Sequence, residues 1–237
     1  MSDADNATSF VSFCDERYDI ESSHPFVIGR DGDLSIDDNP YLHRHFLEIS
    51  DHESLWWLSN VGSQLTATVA DERGMLQAWL APGARLPLVF DRTYVWFTAG
   101  PTTYELEVVL AQAPFVPATA RSVDVGQTTV GRADFTPDQK LLVVVLCEQV
   151  LLRNTHAAAT VPTSAEAANR LGWTLTKFNR KLDNVCQKLA RMGVRGLHGG
   201  PDNLAVNRRA RLVEYALATR WVDKSDLGML NDEVAVR

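Results

Sequence analysis

No stretch of the 237-residue chain approaches the roughly 18 consecutive apolar residues that a membrane-spanning helix requires. Its first ten residues, MSDADNATSF, are acidic and polar and lack the positive start of a secretory signal. Cysteine is scarce and odd in number: Cys14, Cys147 and Cys186 read as reduced thiols, the last two at apolar helical positions. These absences predict a soluble, cytoplasmic protein with no membrane partner. The motifs of catalysis are missing as well. There is no G-x-x-x-x-G-K-[ST], no G-x-G-x-x-G after a strand, no H-E-x-x-H and no G-x-S-x-G. No catalytic residue and no cofactor is assigned, and a non-enzymatic protein is expected. A metal is not expected either, because His43-x-His45 lacks a third ligand at sensible spacing. Asp37-Asp38 is read as shaping a loop, since a cation site would want more oxygen ligands.

What is present is enough apolar residue, 45% of the chain, for packed cores, in a length that suits two domains. Charge divides the chain. Residues 1–135 carry 8 Lys and Arg against 20 Asp and Glu, a net of −12. Residues 136–237 carry 15 against 10, a net of +5, and within 163–220 the balance is 11 against 4, or +7. Such asymmetry argues for two parts with different partners, one of them polyanionic. A charged helical face that is merely solvated gives the same pattern.

From residue 9 to 112 the chain reads as short strands. FVSFC, FVIG, DLSID, FLEIS, LWWLS, LTATVA, QAWLA, LPLVF, YVWFT and YELEVVL alternate or run apolar for a few residues, punctuated by Gly, Pro, Asp and Asn. Many short strands at regular spacing predict an all-β antiparallel sandwich. Residues 113–135 carry no sustained period and read as a linker, with TVGR as a stray strand within it. Thr136-Pro137 then opens a helix with Leu141, Val144, Val145, Val150 and Leu151 on its apolar face. Thr163 or Ser164 caps a second helix that ends at Leu171-Gly172. A third, from Thr174 or Thr176, carries Phe178, Leu182, Val185, Cys186 and Leu189 as one stripe. VRGL and NLAV flank the turn HGGPD as a hairpin, a final helix covers about 208–222, and 225–237 is a tail. The helical domain spans 136–224 and is mainly α.

The segments Ile28-Gly29-Arg30, Asp33-Leu34-Ser35-Ile36-Asp37-Asp38, His45 and Trp57-Leu58-Ser59-Asn60-Val61-Gly62-Ser63 occur in order. In this set the chain resembles the forkhead-associated (FHA) domain, a β-sandwich whose members bind phosphothreonine peptides through loops at one end. The resemblance implies a peptide-binding site at Arg30, Leu42, His43, Arg44, Ser63 and Leu65, with Gly29, His45 and Gly62 as structural positions. Arg30 keeps the phosphate-binding guanidinium. Leu42 stands where the family has serine, His43 where it has arginine, and Leu65-Thr66-Ala67 where it has Asn-Gly-Thr. Two readings follow: phosphothreonine capture by Arg30 with His43 or Arg44, and an FHA-like fold that binds proteins without needing phosphate. The second is favoured, because the hydroxyl and the peptide-clamping amide are gone.

Residues 166–189, EAANRLGWTLTKFNRKLDNVCQKL, are similar to the helix-turn-helix of LuxR-type regulators and sigma-factor region 4, with pattern E-I-A-x-x-L-G-x-S-x-x-T-V-x-x-x-L. Glu166, Ala168, Leu171, Gly172, Thr174, Phe178 and Leu182 take those places in register, and the VRGL–HGGPD–NLAV hairpin would be a wing. The resemblance implies DNA contact by the outer face of the third helix: Thr174, Thr176, Lys177, Asn179, Arg180, Lys181, Asn184 and Lys188, with Arg195 towards the wing. Arg208-Arg209-x-Arg211, unfavourable to a helix dipole, invites a phosphate-facing role. The expected protein is thus a bacterial signalling and transcription regulator with a protein partner, phosphorylated or not, on one domain and duplex DNA on the other. A homodimer is a further candidate assembly. The alternative is an adaptor in Ser/Thr-kinase-linked signalling, with no DNA binding.

Overall fold

The computed structural model describes residues 8–74, 76–116, 135–153, 157–197 and 204–235; the TVGR segment and the HGGPD turn lie outside them. Strands β1 (Phe10–Phe13), β2 (Glu16–Asp19), β3 (Phe26–Gly29), β4 (Leu34–Ser35), β5 (Leu47–His52), β6 (Leu55–Asn60), β7 (Ala67–Asp71), β8 (Gln77–Leu80), β9 (Arg85–Pro87), β10 (Arg92–Ala99) and β11 (Thr102–Val109) form two sheets. One runs β2-β1-β11-β10-β7-β8 and the other β4-β3-β5-β6-β9, antiparallel except for the β3–β4 pair. Between them lies a core of alternate residues: Val11, Ile28, Leu47, Ile49, Leu58, Val69, Val95, Phe97, Leu106 and Val108. Two-residue turns with both residues at positive φ, Cys14-Asp15 and Glu53-Ser54, close the β1–β2 and β5–β6 hairpins, as right-handed strand twist requires.

The C-terminal region is helical: α1 (Pro137–Leu151), α2 (Ser164–Arg170), α3 (Leu175–Arg191), α4 (Leu204–Ala218), a 3-10 turn at Lys224–Leu227 and α5 (Gly228–Ala235). Thr136 with Gln139 and Thr163 with Glu166 form capping boxes at α1 and α2. Leu141 to Cys147 are all buried, so α1 is the central helix with others on several sides. Three features differ from the sequence reading. NLAV is not a strand: α4 starts at Leu204, and neither it nor Val194–Leu197 forms a wing strand. Four such residues carry no alternation that separates strand from helix, and the helical spacing of Leu212, Val213, Ala216 and Leu217 extends back through them. Of the expected tail 225–237, the described residues 225–235 are helical. Asp223 and Asp226 form a capping box, and Leu230 of α5 is buried beside α1. Finally, Ala158–Thr160 forms β12, which pairs with Thr102–Tyr104 of β11 and so ties the helical region into the sheet.

The two regions share a core. Residues of β7 and β10 that face away from the sandwich, Ala70, Tyr94 and Trp96, pack in one buried cluster with Leu142, Val213 and Leu217. This explains why YVWFT runs apolar on both parities: the strand is covered on both faces. At the seam the Glu214 carboxylate, 4% exposed, accepts from Thr98 Oγ1 (2.6 Å), Thr68 Oγ1 (3.1 Å) and Arg211 Nη1 (2.9 Å), and Arg211 also donates to Thr68 Oγ1. Burial pushes the Glu214 carboxyl above its usual range, opposed by the Arg211 charge and the hydroxyl donors.

Glu214→Ala leaves the Arg211 guanidinium buried without its carboxylate, and it is expected to cost about 3–5 kcal/mol in denaturant unfolding. The raised pKa also has a sign. Above the ordinary Glu value the folded state holds this proton more tightly than the unfolded state, so Glu214's contribution to stability falls as pH rises through the shifted value. The difference in unfolding free energy between wild type and Glu214→Gln, followed across pH, is expected to carry that slope.

Two candidate functional surfaces

The first surface is the loop end of the sandwich. Arg30 follows β3, His43 and Arg44 precede β5, and Ser63 follows β6. The backbone joins them: Arg30 N donates to the His43 carbonyl (3.0 Å) and Asp31 N to that of Arg44 (2.9 Å). Only glycine fits at position 29, since a Cβ there would lie 2.0 Å from the Arg44 carbonyl oxygen. At Gly62 it would meet Phe46 at 3.0 Å and His43 Nδ1 at 3.2 Å. The Arg30, His43–Arg44 and Ser63 segments thus lie side by side.

Two positions are not as expected. Leu42 is 1% exposed and belongs to the sandwich core, so it offers no contact surface for a peptide. An apolar side chain in this loop is worth more against the core than in water. His45, expected to tie loops together, is exposed; His43 makes that tie, its Nε2 accepting from Ser63 N (3.1 Å) and lying 3.2 Å from Ser63 Oγ while its ring stacks on Phe46. Leu65 is half-buried against the core. Arg30 Nε is buried and has no hydrogen-bond partner among the described residues.

Asn60 is the residue the sequence reading passed over. Its Nδ2 donates to the Leu65 (2.8 Å) and Leu80 (3.0 Å) carbonyls and its Oδ1 accepts from Gly62 N (3.0 Å), so it pins the β6–β7 connection from within. A signal existed: Asn60 shares the inward parity of Leu58 in β6. Asp37 does shape its loop, accepting from Tyr104 Oη (2.7 Å), which in turn accepts from Asn39 Nδ2 (2.9 Å).

The second surface is α3. Gly172, at φ +62°, makes the turn from α2, and Thr174 caps α3 by accepting from Lys177 N (3.2 Å). Phe178, Leu182, Val185, Cys186 and Leu189 are buried as one stripe. Burial pushes the Cys186 thiol up to about 11 and Cys147 higher still, which leaves both unreactive.

The predicted contact residues then fall into sets. Thr176, Arg180 and Asn184 are exposed on one edge of the helix, continued by Gln187 and Arg191, and Thr174 and Arg195 are exposed at its two ends. The lysines turn towards the start of α1. Lys181 Nζ lies 2.9 Å and Lys177 Nζ 3.9 Å from Asp138 Oδ2, and Lys188 Nζ donates to Gln139 Oε1 (2.9 Å). Lys177 also sits over the Trp173 ring (3.9 Å), and Asn179 is half-buried. The phosphate-facing role expected of Arg208, Arg209 and Arg211 is not met. Arg208 pairs with Asp183 (2.8 Å), Arg209 is 6% exposed and donates to Ser164 Oγ (3.2 Å), and Arg211 lies in the Glu214 network. Burial and the neighbouring Arg208 charge lower the Arg209 pKa, the cost of placing this end of α4 against α2 and α3.

A cavity of about 370 Å³ lies between β10 and the ends of α1 and α4, lined by Tyr94, Trp96, Arg153, Arg220 and Asp223 among others. Two of its polar groups have structural duties: Arg220 Nε donates to the Glu72 carbonyl, and Asp223 caps the 3-10 turn. Among the described residues no cluster of His, Cys, Asp and Glu could hold a metal ion, and no helix is long and apolar enough to cross a membrane. No family model matches the chain, and neither a curated protein nor a solved structure matches it.

Asn60→Ala removes the donor to two carbonyls and the acceptor for Gly62 N at once. It is expected to cost at least about 2 kcal/mol, given roughly 1–3 kcal/mol for each polar group left unsatisfied when buried. Thermal unfolding measures it, and His45→Ala, at an exposed position, is expected to leave stability within about 0.5 kcal/mol.

Proposed function

We propose that the chain is a bacterial regulator in which an FHA-like sandwich receives a protein signal and a helix-turn-helix, α2 and α3, contacts duplex DNA. The observation that carries this reading is the exposed edge of α3: Thr176, Arg180, Asn184, Gln187 and Arg191 lie in a row opposite the buried stripe of Phe178, Leu182, Val185 and Leu189. An edge with Thr176 and Arg180 near the helix start and Asn184 at its middle suits base reading in the major groove, and Arg191 and Arg195 add phosphate contacts. The sandwich leaves this edge uncovered, so the basic helix is not masked by the acidic half. At the loop end, the loss of a serine hydroxyl at Leu42 and the burial of that residue favour protein recognition that does not depend on phosphate.

Binding to duplex DNA is expected at low ionic strength, with log K falling by about 0.9 per neutralised phosphate for each unit of log salt. Arg180→Ala is expected to lose about 1–3 kcal/mol and to relax sequence preference. Asp138→Asn releases Lys177 and Lys181 and is expected to raise affinity and steepen the salt slope by about one phosphate. No interaction with duplex at low salt contradicts the reading.

One observation favours the adaptor alternative. Leu175, the first residue of α3, is 48% exposed where a DNA-binding helix would enter the groove, and an apolar tip suits a protein partner. Comparison of a phosphorylated and an unphosphorylated partner peptide separates the loop-end readings. A strong gain with phosphate that Arg30→Ala abolishes would restore phosphothreonine capture.

A further inference from the structure

Arg211 joins strands β7 and β8 of the sandwich to the segment that follows α3. Its Nη1 donates to Thr68 Oγ1 and to Glu214, and its guanidinium lies over the Trp79 ring of β8 (4.2 Å). Its Nε donates to the Arg195 carbonyl (3.2 Å), in the segment that follows α3. That segment rests directly on the same side chains. Gly196 is at φ +82°, and a Cβ there would lie 3.3 Å from both Arg211 Cγ and the Trp79 ring. The Leu197 side chain is buried one residue on.

At the other end of the path, Thr68 is the second residue of β7. Three residues before it is Leu65, whose carbonyl Asn60 holds, and five before it is Ser63, which His43 holds. Strand β7 thus leaves the loop end and reaches Arg211 within two residues of its start. Asn60, Thr68, Glu214 and Arg211 are buried along this route, while Ser63 and Gln64 at its loop end are exposed and a cavity of about 480 Å³ opens beside Trp79, Arg195 and Arg211 at the other. A packed, hydrogen-bonded network of this kind is the sort of contiguous route along which coupling between two sites travels.

We infer that Arg211 is a positioning residue that couples the loop end of the sandwich to the segment following α3, so that occupancy of the His43–Ser63 loops sets the affinity of α3 for DNA. The inference rests on the DNA-binding reading for its consequence but not for its mechanism. By reciprocity, DNA on α3 changes affinity at the loop end by the same factor. Lysine at position 211 would keep the charge facing Glu214 while losing the guanidinium fork that reaches Thr68 and Arg195 together.

The test uses the full chain and amide hydrogen exchange at Gly193 and Val194, whose N–H groups bond to the Ala190 and Leu189 carbonyls. Thr68→Val and Arg211→Lys are expected to speed exchange there at least threefold while the α1 amides, reporting the fold, stay unchanged. His43→Ala, at the loop end, is expected to do the same in the wild-type background and to do much less in Arg211→Lys, the non-additivity that defines coupling. Unchanged exchange in Arg211→Lys, or fully additive effects of His43→Ala and Arg211→Lys, overturns the inference. If the coupling is found but none of these proteins binds duplex DNA at low salt, the DNA reading fails and the coupling stands.

Discussion

The structure depends on a sheet that is buried on both faces. Strands β7 and β10 turn one face to the sandwich core and the other to α4, and this second face holds Tyr94, Trp96 and Ala70 together with the polar Thr68 and Thr98. A helix laid on such a face has to satisfy those hydroxyls, and Glu214 and Arg211 do so from consecutive turns of α4. Apolar area supplies the bulk of the attraction, and the buried Arg211–Glu214 pair satisfies the strand hydroxyls at one point of the seam. Once α4 is set, the rest of the helical region follows. Helix α1 packs on α4, α3 packs on α1, and β12 closes the arrangement by joining β11.

Opposite net charge of the two halves suggests that they attract through their surfaces, with the basic helix as the point of contact. The docking is of another kind. It uses a shared apolar core and one buried ion-pair network on α4, and leaves the exposed edge of α3 turned outward. The positive charge of the helical region is also more committed than a residue count implies. Asp138 and Gln139 take three α3 lysines, and Asp183, Ser164 and Glu214 take the three arginines of α4. What is left for a polyanion is a narrow edge led by Arg180, Arg191 and Arg195.

Much of this fold is legible in the sequence. Period-2 runs mark β5 and β11, short apolar runs mark β6 and β10, and Thr136-Pro137, Thr163 and Gly172 mark the helix boundaries, because caps and left-handed turns depend on a few neighbouring residues. The double-sided burial of YVWFT is also visible, as an apolar run with no polar parity, although nothing in it names α4 as the covering element. Elements that depend on distant partners are not legible. Strand β12 is three small residues whose pairing with β11 only the tertiary fold supplies, and NLAV is too short to declare its period. The site residues divide the same way. Gly29 and Gly62 stand where the Arg44 and Phe46 segment comes close, a tertiary constraint that the sequence pointed to only through the motif positions. Leu42 and His43 differ from expectation because the loop takes its anchor from Phe46 and Ser63, a tertiary contact that the motif register alone does not fix. Arg208, Arg209 and Arg211 look exposed on charge grounds and are drawn in by α4's position between the sheet and α2.

The account stands or falls on whether the outward edge of α3 meets DNA while the sandwich stays docked on α4. Backbone amide NMR of the full chain, titrated with a short duplex at low salt, measures both at once. The account predicts shifts concentrated between Thr174 and Arg195, led by Thr176, Arg180 and Asn184, with the amides of β7 and β10 still protected from exchange. Shifts confined to the sandwich, or none along α3 at saturating duplex, would contradict it.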